Sequence, residues 1–223
     1  MLADRVRMGS SGKELIQWQT VQDIVRAGEA NNYFDIGDQL VSLYDGREII
    51  WQVIGIDVDT PSDSSFTHSM TIQTKDSLES RVWDAGKDNR YINSDIRTYL
   101  NGVFLNKLDT ELASVLGAVD KKVAVRNAIG GQDSFSDKVF LLSRLEVGLG
   151  TEGITAGEFV YPYYDGITNA GRIKKLNLPN YIWWLRSPSV SNSYGVRGVY
   201  SDGSLRGYVA SDTYGVSPAC VII

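Results

Sequence analysis

Tyr181-Ile-Trp-Trp-Leu185 runs into Arg186-Ser-Pro188, then Ser189-Val-Ser-Asn-Ser-Tyr194, then Gly195-Val-Arg-Gly-Val-Tyr-Ser-Asp-Gly-Ser-Leu-Arg-Gly-Tyr-Val209. The first block is apolar on both faces, as a buried strand must be, and Arg186-Ser-Pro188 is expected to break it. Gly195–Tyr200 and Leu205–Val209 flank the turn-forming Ser201-Asp-Gly-Ser204, so this stretch reads as a hairpin. Side chains alternate along a strand. Arg197, Val199 and Ser201 therefore share one face, and Val196, Gly198 and Tyr200 the other; parity leaves open which face is outward. Gly215-Val-Ser-Pro-Ala-Cys-Val-Ile-Ile223 reads as one terminal strand.

Upstream, Gln39–Tyr44 and Arg47–Ile56 flank Asp45-Gly46, a strong hairpin signal. Glu14 to Ala27 reads as a helix with Leu15, Trp18, Val21 and Val25 near one face and Gly28 ending it. Asn93 or Ser94 can cap a second helix whose core positions are Ile96, Leu100 and Phe104, and Asp109 or Thr110 a third. His68–Thr74, Lys121–Arg126 and Lys138–Leu142 read as strands, and Ser143-Arg-Leu-Glu146 has capping-box spacing. Residues 150–180 are rich in Gly and Tyr without periodicity and read as a long surface excursion. Helices come early and short strands late, which makes the class α+β with mostly antiparallel short strands. The expected division is an arm and helix over residues 1–30 and one domain over 31–223.

Composition narrows the function. The 223 residues contain 22 Gly and 12 Tyr but one Cys and one His, with a net charge of −5. One Cys excludes a disulfide framework or multi-Cys zinc site, and acidity argues against nucleic acid as the partner. The N-terminus lacks the apolar core of a signal peptide, and no apolar stretch is long enough to span a bilayer. No cofactor and no membrane insertion are expected, and localisation stays open.

Five separated motifs occur in a fixed order: Tyr91-Ile-Asn-Ser-Asp-Ile-Arg-Thr-Tyr-Leu-Asn101, Val139-Phe-Leu-Leu-Ser143 with Glu146, Trp183-Trp-Leu-Arg-Ser-Pro188, Tyr200-Ser-Asp-Gly-Ser204 and Gly215-Val-Ser-Pro-Ala219. Over roughly residues 34–223 the chain resembles a domain of unknown function common in phage and gut-bacterial proteins. That resemblance implies a C-type-lectin-like fold, also used by formylglycine-generating enzymes, and includes variable proteins of diversity-generating retroelements. Ser217 departs from the pattern, where the resemblance leads one to expect an Arg. In such proteins the segment between the Leu-Arg-Ser-Pro block and the Gly-Val-x-Pro-Ala strand is hypervariable, through mutagenesis directed at adenines of AAC-like codons. Such codons cannot yield Lys, Glu, Gln, Met or Trp, and residues 189–214 contain none of the five.

That segment has the composition of a binding surface. Tyr194, Tyr200, Tyr208 and Tyr214 offer rigid amphipathic contact area; Ser189, Ser191, Asn192, Ser193, Ser201, Asp202, Ser204, Ser211 and Asp212 offer adaptable hydrogen bonding. Arg197 and Arg206 are the candidate charged anchors. The expectation is a non-catalytic receptor-recognition protein, its oligomeric state left open, whose ligand is a protein or glycan on a host or neighbouring cell. Two alternatives stand beside it. One is a phage tail component, which burial of Trp18 and Val21 only in an assembly would support. The other is a hydrolase on the same fold using His68 with Asp63 or Asp76, although no Gly-x-Ser-x-Gly elbow is present. Asp57, Asp59 and Asp63 are the residues that could offer oxygens to calcium, but without EF-hand spacing. Cys220, Trp183 and Trp184 read as core, and Arg186 as a structural ion-pair or backbone-bonding residue.

Overall fold

Asp45 and Gly46 adopt φ of 51° and 75°, the left-handed pair that a two-residue hairpin turn requires. They join β1 (Gln39–Tyr44) to β2 (Arg47–Ile56) in unbroken antiparallel register. The structure is a computed structural model describing residues 17–125, 131–150 and 157–223, with the backbone of 7–8 and 14–15. The other main strands are β3 (Met70–Thr74), β4 (Glu79–Val82), β5 (Val119–Ala124), β6 (Gln132–Asp137), β7 (Val139–Phe140), β8 (Trp183–Pro188), β9 (Gly195–Val199), β10 (Leu205–Val209), β11 (Thr213–Val216) and β12 (Ala219–Ile222). One sheet has the order β7-β12-β3-β2-β1, with Leu116–Gly117 also on β12; the second has the order β10-β9-β8-β11-β4, and β5 and β6 form a separate hairpin. All these neighbours are antiparallel except β8 and β11. The class is α+β, as expected.

The expected single terminal strand is two strands in different sheets. Pro218 has no N–H to continue a ladder, and the chain crosses from β11 to β12 at Ser217-Pro218. Ser217 is buried there; its Oγ donates to Thr74 O at 3.0 Å and accepts from Gln73 Nε2 at 3.3 Å. Lys174 Nζ donates to the same Thr74 carbonyl at 2.6 Å, and burial pushes this amine down to about 7.

Helix α1 spans Trp18–Arg26, starting later than expected because Glu14–Leu15 pairs with Arg7–Met8 as a short strand. Gly28, at φ 71°, ends it by donating to Val25 O at 2.9 Å. Trp18, Val21 and Val25 pack into the same core as the sheets. They are thus covered within the chain, not only in an assembly. Helix α2 starts at Asp95 with Ser94 Oγ accepting from Arg97 N, passes through a π turn at Leu100–Phe104 and ends at Lys107. Ile96, Leu100 and Phe104 are buried as expected. Asp109 caps α3 (Thr110–Val115). Strand β5 falls short of the expected Arg126, which lies outside the described residues. The expected surface excursion buries Tyr161, Tyr164, Arg172 and Lys174. Its large side chains pack singly, so they leave no periodic trace in the sequence.

β8 lies between β9 and β11, and its indoles are satisfied by backbone carbonyls elsewhere in the fold. Trp183 Nε1 donates to Arg172 O at 3.0 Å and Trp184 Nε1 to Arg81 O at 2.9 Å. β8 does not break at Arg186; it continues to Pro188, because the Arg186 charge is matched inside the protein. Arg186 is 0% exposed. Its guanidinium donates to both Glu146 oxygens, to Glu158 Oε1 at 3.0 Å, to Leu141 O at 2.9 Å and to Lys122 O at 3.3 Å. Glu146 also closes the capping box, accepting from Ser143 N at 2.9 Å while Glu146 N donates to Ser143 Oγ at 3.1 Å. Lys121 Nζ donates to Glu146 Oε1 at 3.0 Å and to Tyr161 Oη at 2.8 Å, and it pairs with Asp59. Tyr161 Oη in turn donates to Asp59 Oδ2 at 2.7 Å. Asp59 is therefore committed to an internal ion pair, not to calcium.

Two cations face three carboxylates in this cluster, and the acids divide. Burial opposes ionisation of Glu146, but Arg186, Lys121 and the Ser143 N–H outweigh it and hold the carboxyl down at about 2. Burial dominates at Glu158 and, despite Arg186, pushes it up to about 7 with the Glu146 charge nearby. An acid whose folded value is raised contributes stability below its unfolded value and loses it as pH rises through the folded one. For Glu158 that window runs from the ordinary 4.5 to about 7. In urea titrations across this window, Glu158→Gln is expected to gain stability relative to wild type as pH rises; parallel profiles would refute this assignment.

Candidate functional site

The segment 189–214 begins where β8 leaves the core, and its first turn is tied down from a distant part of the chain. Asn89 is buried, and its Nδ2 donates to Ser189 O at 3.0 Å, Asn192 O at 2.9 Å and Gly195 O at 2.7 Å. Asn89 N adds a bond to Ser193 O at 3.1 Å. Within the turn, Asn192 Oδ1 accepts from the backbone N–H of Tyr194 at 3.1 Å and of Gly195 at 2.5 Å, and Ser189 N donates to Gly195 O at 2.7 Å. A Cβ at Gly195 would lie 2.8 Å from Asn192 Oδ1 and 3.0 Å from Ser189 Cβ. The loop is thus preorganised.

This loop and the β9–β10 hairpin enclose an open groove of about 400 Å³. Seven of the fifteen residues expected to bind ligand line it: Ser189, Ser191, Asn192, Tyr194, Arg197, Tyr208 and Asp212. Ser189 is buried at its base, and Tyr194 stands 50% exposed at its rim. Gly195, Gly207 and Val209 complete the lining with backbone and a small apolar surface.

The other expected residues distribute around the groove. Tyr200, Ser201, Asp202 and Ser204 form the β9–β10 turn, with Asp202 Oδ1 accepting from Ser204 N at 2.8 Å. Hydrogen bonding from Ser204 holds the Asp202 carboxyl below its usual range. Arg206 stacks over the Tyr200 ring at 5.7 Å. Tyr208 and Tyr214 lie 4.5 Å apart, with buried Trp184 at 6.0 and 5.0 Å respectively, so an aromatic step rises from the core towards solvent. Burial, then the neighbouring Tyr214 and Tyr200, push the Tyr208 phenol up to about 12; burial also raises Tyr214. Both remain hydrogen-bond donors at neutral pH. Ser193 and Ser211 are half-exposed in the two flanking turns. Parity alone could not choose an outward face of β9 because both Val196 and Val199 are buried.

His68 is taken up elsewhere. Its Nδ1 lies 3.2 Å from both Asp57 carboxylate oxygens, and its Nε2 edge presses on Gly28, where a Cβ would come within 2.7 Å. Its acidic neighbour is neither Asp63 nor Asp76; Asp63 accepts from Ser65 N at 2.9 Å instead. Among the described residues no group of three His, Cys, Asp or Glu side chains is placed to hold a metal ion, and no helix is long and apolar enough to cross a membrane. Cys220 is buried in β12, and burial pushes its thiol up.

The geometry defines an α+β scaffold of two sheets with a preorganised surface groove at one sheet's edge. The chain belongs to the DUF6273 family, a domain of unknown function, whose model matches residues 67–223. The match includes Asn89, Arg186 and the whole groove and starts after the β1–β2 hairpin. No curated protein and no solved structure matches the chain.

Asn89→Ala removes the two N–H donors shared among three carbonyls, of which Gly195 O keeps its bond from Ser189 N while those of Ser189 and Asn192 lose the amide. At roughly 1 kcal/mol per bond, it is expected to cost about 2–3 kcal/mol in urea unfolding and to speed hydrogen exchange at the Ser189 and Gly195 amides. Unchanged exchange at both amides would remove Asn89 from this role.

Proposed function

We propose that this protein is a non-catalytic ligand-binding protein that displays residues 189–214 as its recognition surface. The observation that carries the reading is convergence: seven residues with an antibody-like palette line one groove between a tied-down loop and the β9–β10 hairpin, above a fully buried core. Tyr and Ser lower the entropic cost of ordering a contact surface and adapt to varied partners. A fixed loop avoids the cost of ordering it on binding. The ligand class is a protein or glycan on a host or neighbouring cell.

The reading extends to a C-type-lectin-like scaffold resembling retroelement variable proteins. Sterics within the segment support separate scaffold and display positions. A Cβ at Gly203, whose φ is 84°, would collide with the Asn169 carbonyl, and one at Gly198 would reach Trp183 O at 3.0 Å. Tyr194, Tyr200 and Arg206 are exposed.

Two experiments test this. A glycan array and a displayed random-peptide library are probed with wild type and with Tyr194→Ala/Arg197→Ala. At least one probe class is expected to bind wild type and to lose about tenfold in affinity with the variant, as loss of a hot-spot side chain gives. No binding to either class, or equal binding by both proteins, would contradict the function. Diversification is tested by sequencing the coding region from many isolates. Changes should gather at AAC-like codons for positions such as 191, 194, 197, 200 and 206 and spare Asn89, Gly198 and Gly203. An even spread would end that part of the proposal.

A further inference from the structure

β10 is the outer strand of its sheet, and the β9–β10 turn fixes which of its backbone groups face away from β9. Tyr200 N donates to Ser204 O at 2.7 Å, and Gly203 N to Tyr200 O at 2.8 Å. Tyr200 and Ser204 are therefore a bonded pair. Bonded and non-bonded pairs alternate in an antiparallel ladder, so Gly198–Arg206 and Val196–Tyr208 are the bonded pairs of this register. Leu205, Gly207 and Val209 then direct N–H and C=O groups outward. Val209 is already satisfied: its N–H donates to Asp212 Oδ2 at 3.2 Å, and its carbonyl accepts from Asp212 N at 2.9 Å. Among the described residues nothing pairs with the outward groups of Leu205 and Gly207, a short edge at strand spacing with Arg206 between them. Gly207 leaves its backbone bare, and it lines the groove together with Tyr208.

We propose that the Leu205–Gly207 edge accepts an extended peptide segment of a partner protein as an added strand, with an acidic side chain opposite Arg206. The proposal rests on the reading of the groove as the recognition surface and narrows its ligand to protein. Backbone N–H and C=O groups alternating at strand spacing are matched by another extended backbone, the mode by which exposed sheet edges capture peptides. Residues opposite each other across non-bonded pairs approach most closely, and opposite charges there are favourable. A second copy of this chain fits poorly. Two β10 edges paired about Arg206 would set two arginines directly opposite; paired about Gly207 they would need the Val209 groups that Asp212 occupies.

The test uses the full chain and linear peptides selected from a displayed random library. The selected peptides are expected to carry Asp or Glu at one position, and to lose about tenfold in affinity for Gly207→Pro. That substitution deletes an outward N–H at an edge, where proline is tolerated. N-methylation of each peptide residue in turn gives a second reading against wild type, independent of any effect of proline on the strand. Affinity should fall at alternate residues and hold at those between. Arg206→Glu should reverse the charge preference in a fresh selection. Peptides that need Tyr194 and Tyr208 but show no alternation and ignore Gly207→Pro would overturn strand addition and leave the groove reading standing. Enrichment of glycans alone would do the same. Peptides indifferent to Tyr194 and Tyr208 would overturn both.

Discussion

Arg186 sits at the junction on which the rest of the molecule depends. It is completely buried near the end of β8, and its guanidinium ties together the Ser143–Glu146 turn, Glu158, and the carbonyls of Leu141 and Lys122. Glu146 passes the connection to Lys121, and Lys121 passes it to Asp59 and Tyr161. One contiguous network thus joins the second sheet, the β5–β6 hairpin and the loop before β3. A buried charge set of this kind need not raise net stability over an apolar core, but removing one partner strands the others at a cost of roughly 3–5 kcal/mol. Its consequence here is positional: β8 is held through Pro188, so the chain emerges at Ser189 in one place and direction.

The display segment inherits that rigidity. Asn89 fastens the turn after β8, the β9–β10 turn packs Gly203 on Asn169, and Tyr208 and Tyr214 lean on Trp184. Side chains needed for these contacts point inward or are absent altogether, as at Gly195, Gly198 and Gly203. Ser191, Tyr194, Tyr200 and Arg206 are left exposed, and Arg197 partly so. The same short segment can therefore be constrained in its backbone and unconstrained in its outward chemistry.

Much of this was legible in the sequence where local chemistry dictates structure. Asp45-Gly46 gave the first hairpin, Asn93-Ser94 and Asp109-Thr110 the places of the caps, Ser143 and Glu146 their reciprocal box, and Trp183 and Trp184 the buried strand. The split of the C-terminal stretch between two sheets was not legible, because Pro218 marks a break without saying where the next strand pairs. The contacts of Asn89, Glu158 and Lys121 were not legible either. Each depends on partners 25 or more residues away, and nothing local in Asp88-Asn-Arg90 or Lys121-Lys122 announces them. Residues 189–214 were legible as a palette, but the groove needed Gly207 and Val209, whose contribution is backbone geometry.

The central claim is that fold and recognition are borne by different side chains. It is tested most directly by urea unfolding of one variant in which Ser191, Tyr194, Arg197, Tyr200 and Arg206 are all replaced together by other AAC-accessible residues. The account predicts a single cooperative transition within about 1 kcal/mol of wild type, as surface substitutions give. Loss of cooperativity, or destabilisation of several kcal/mol, would contradict it by showing that these side chains hold the fold.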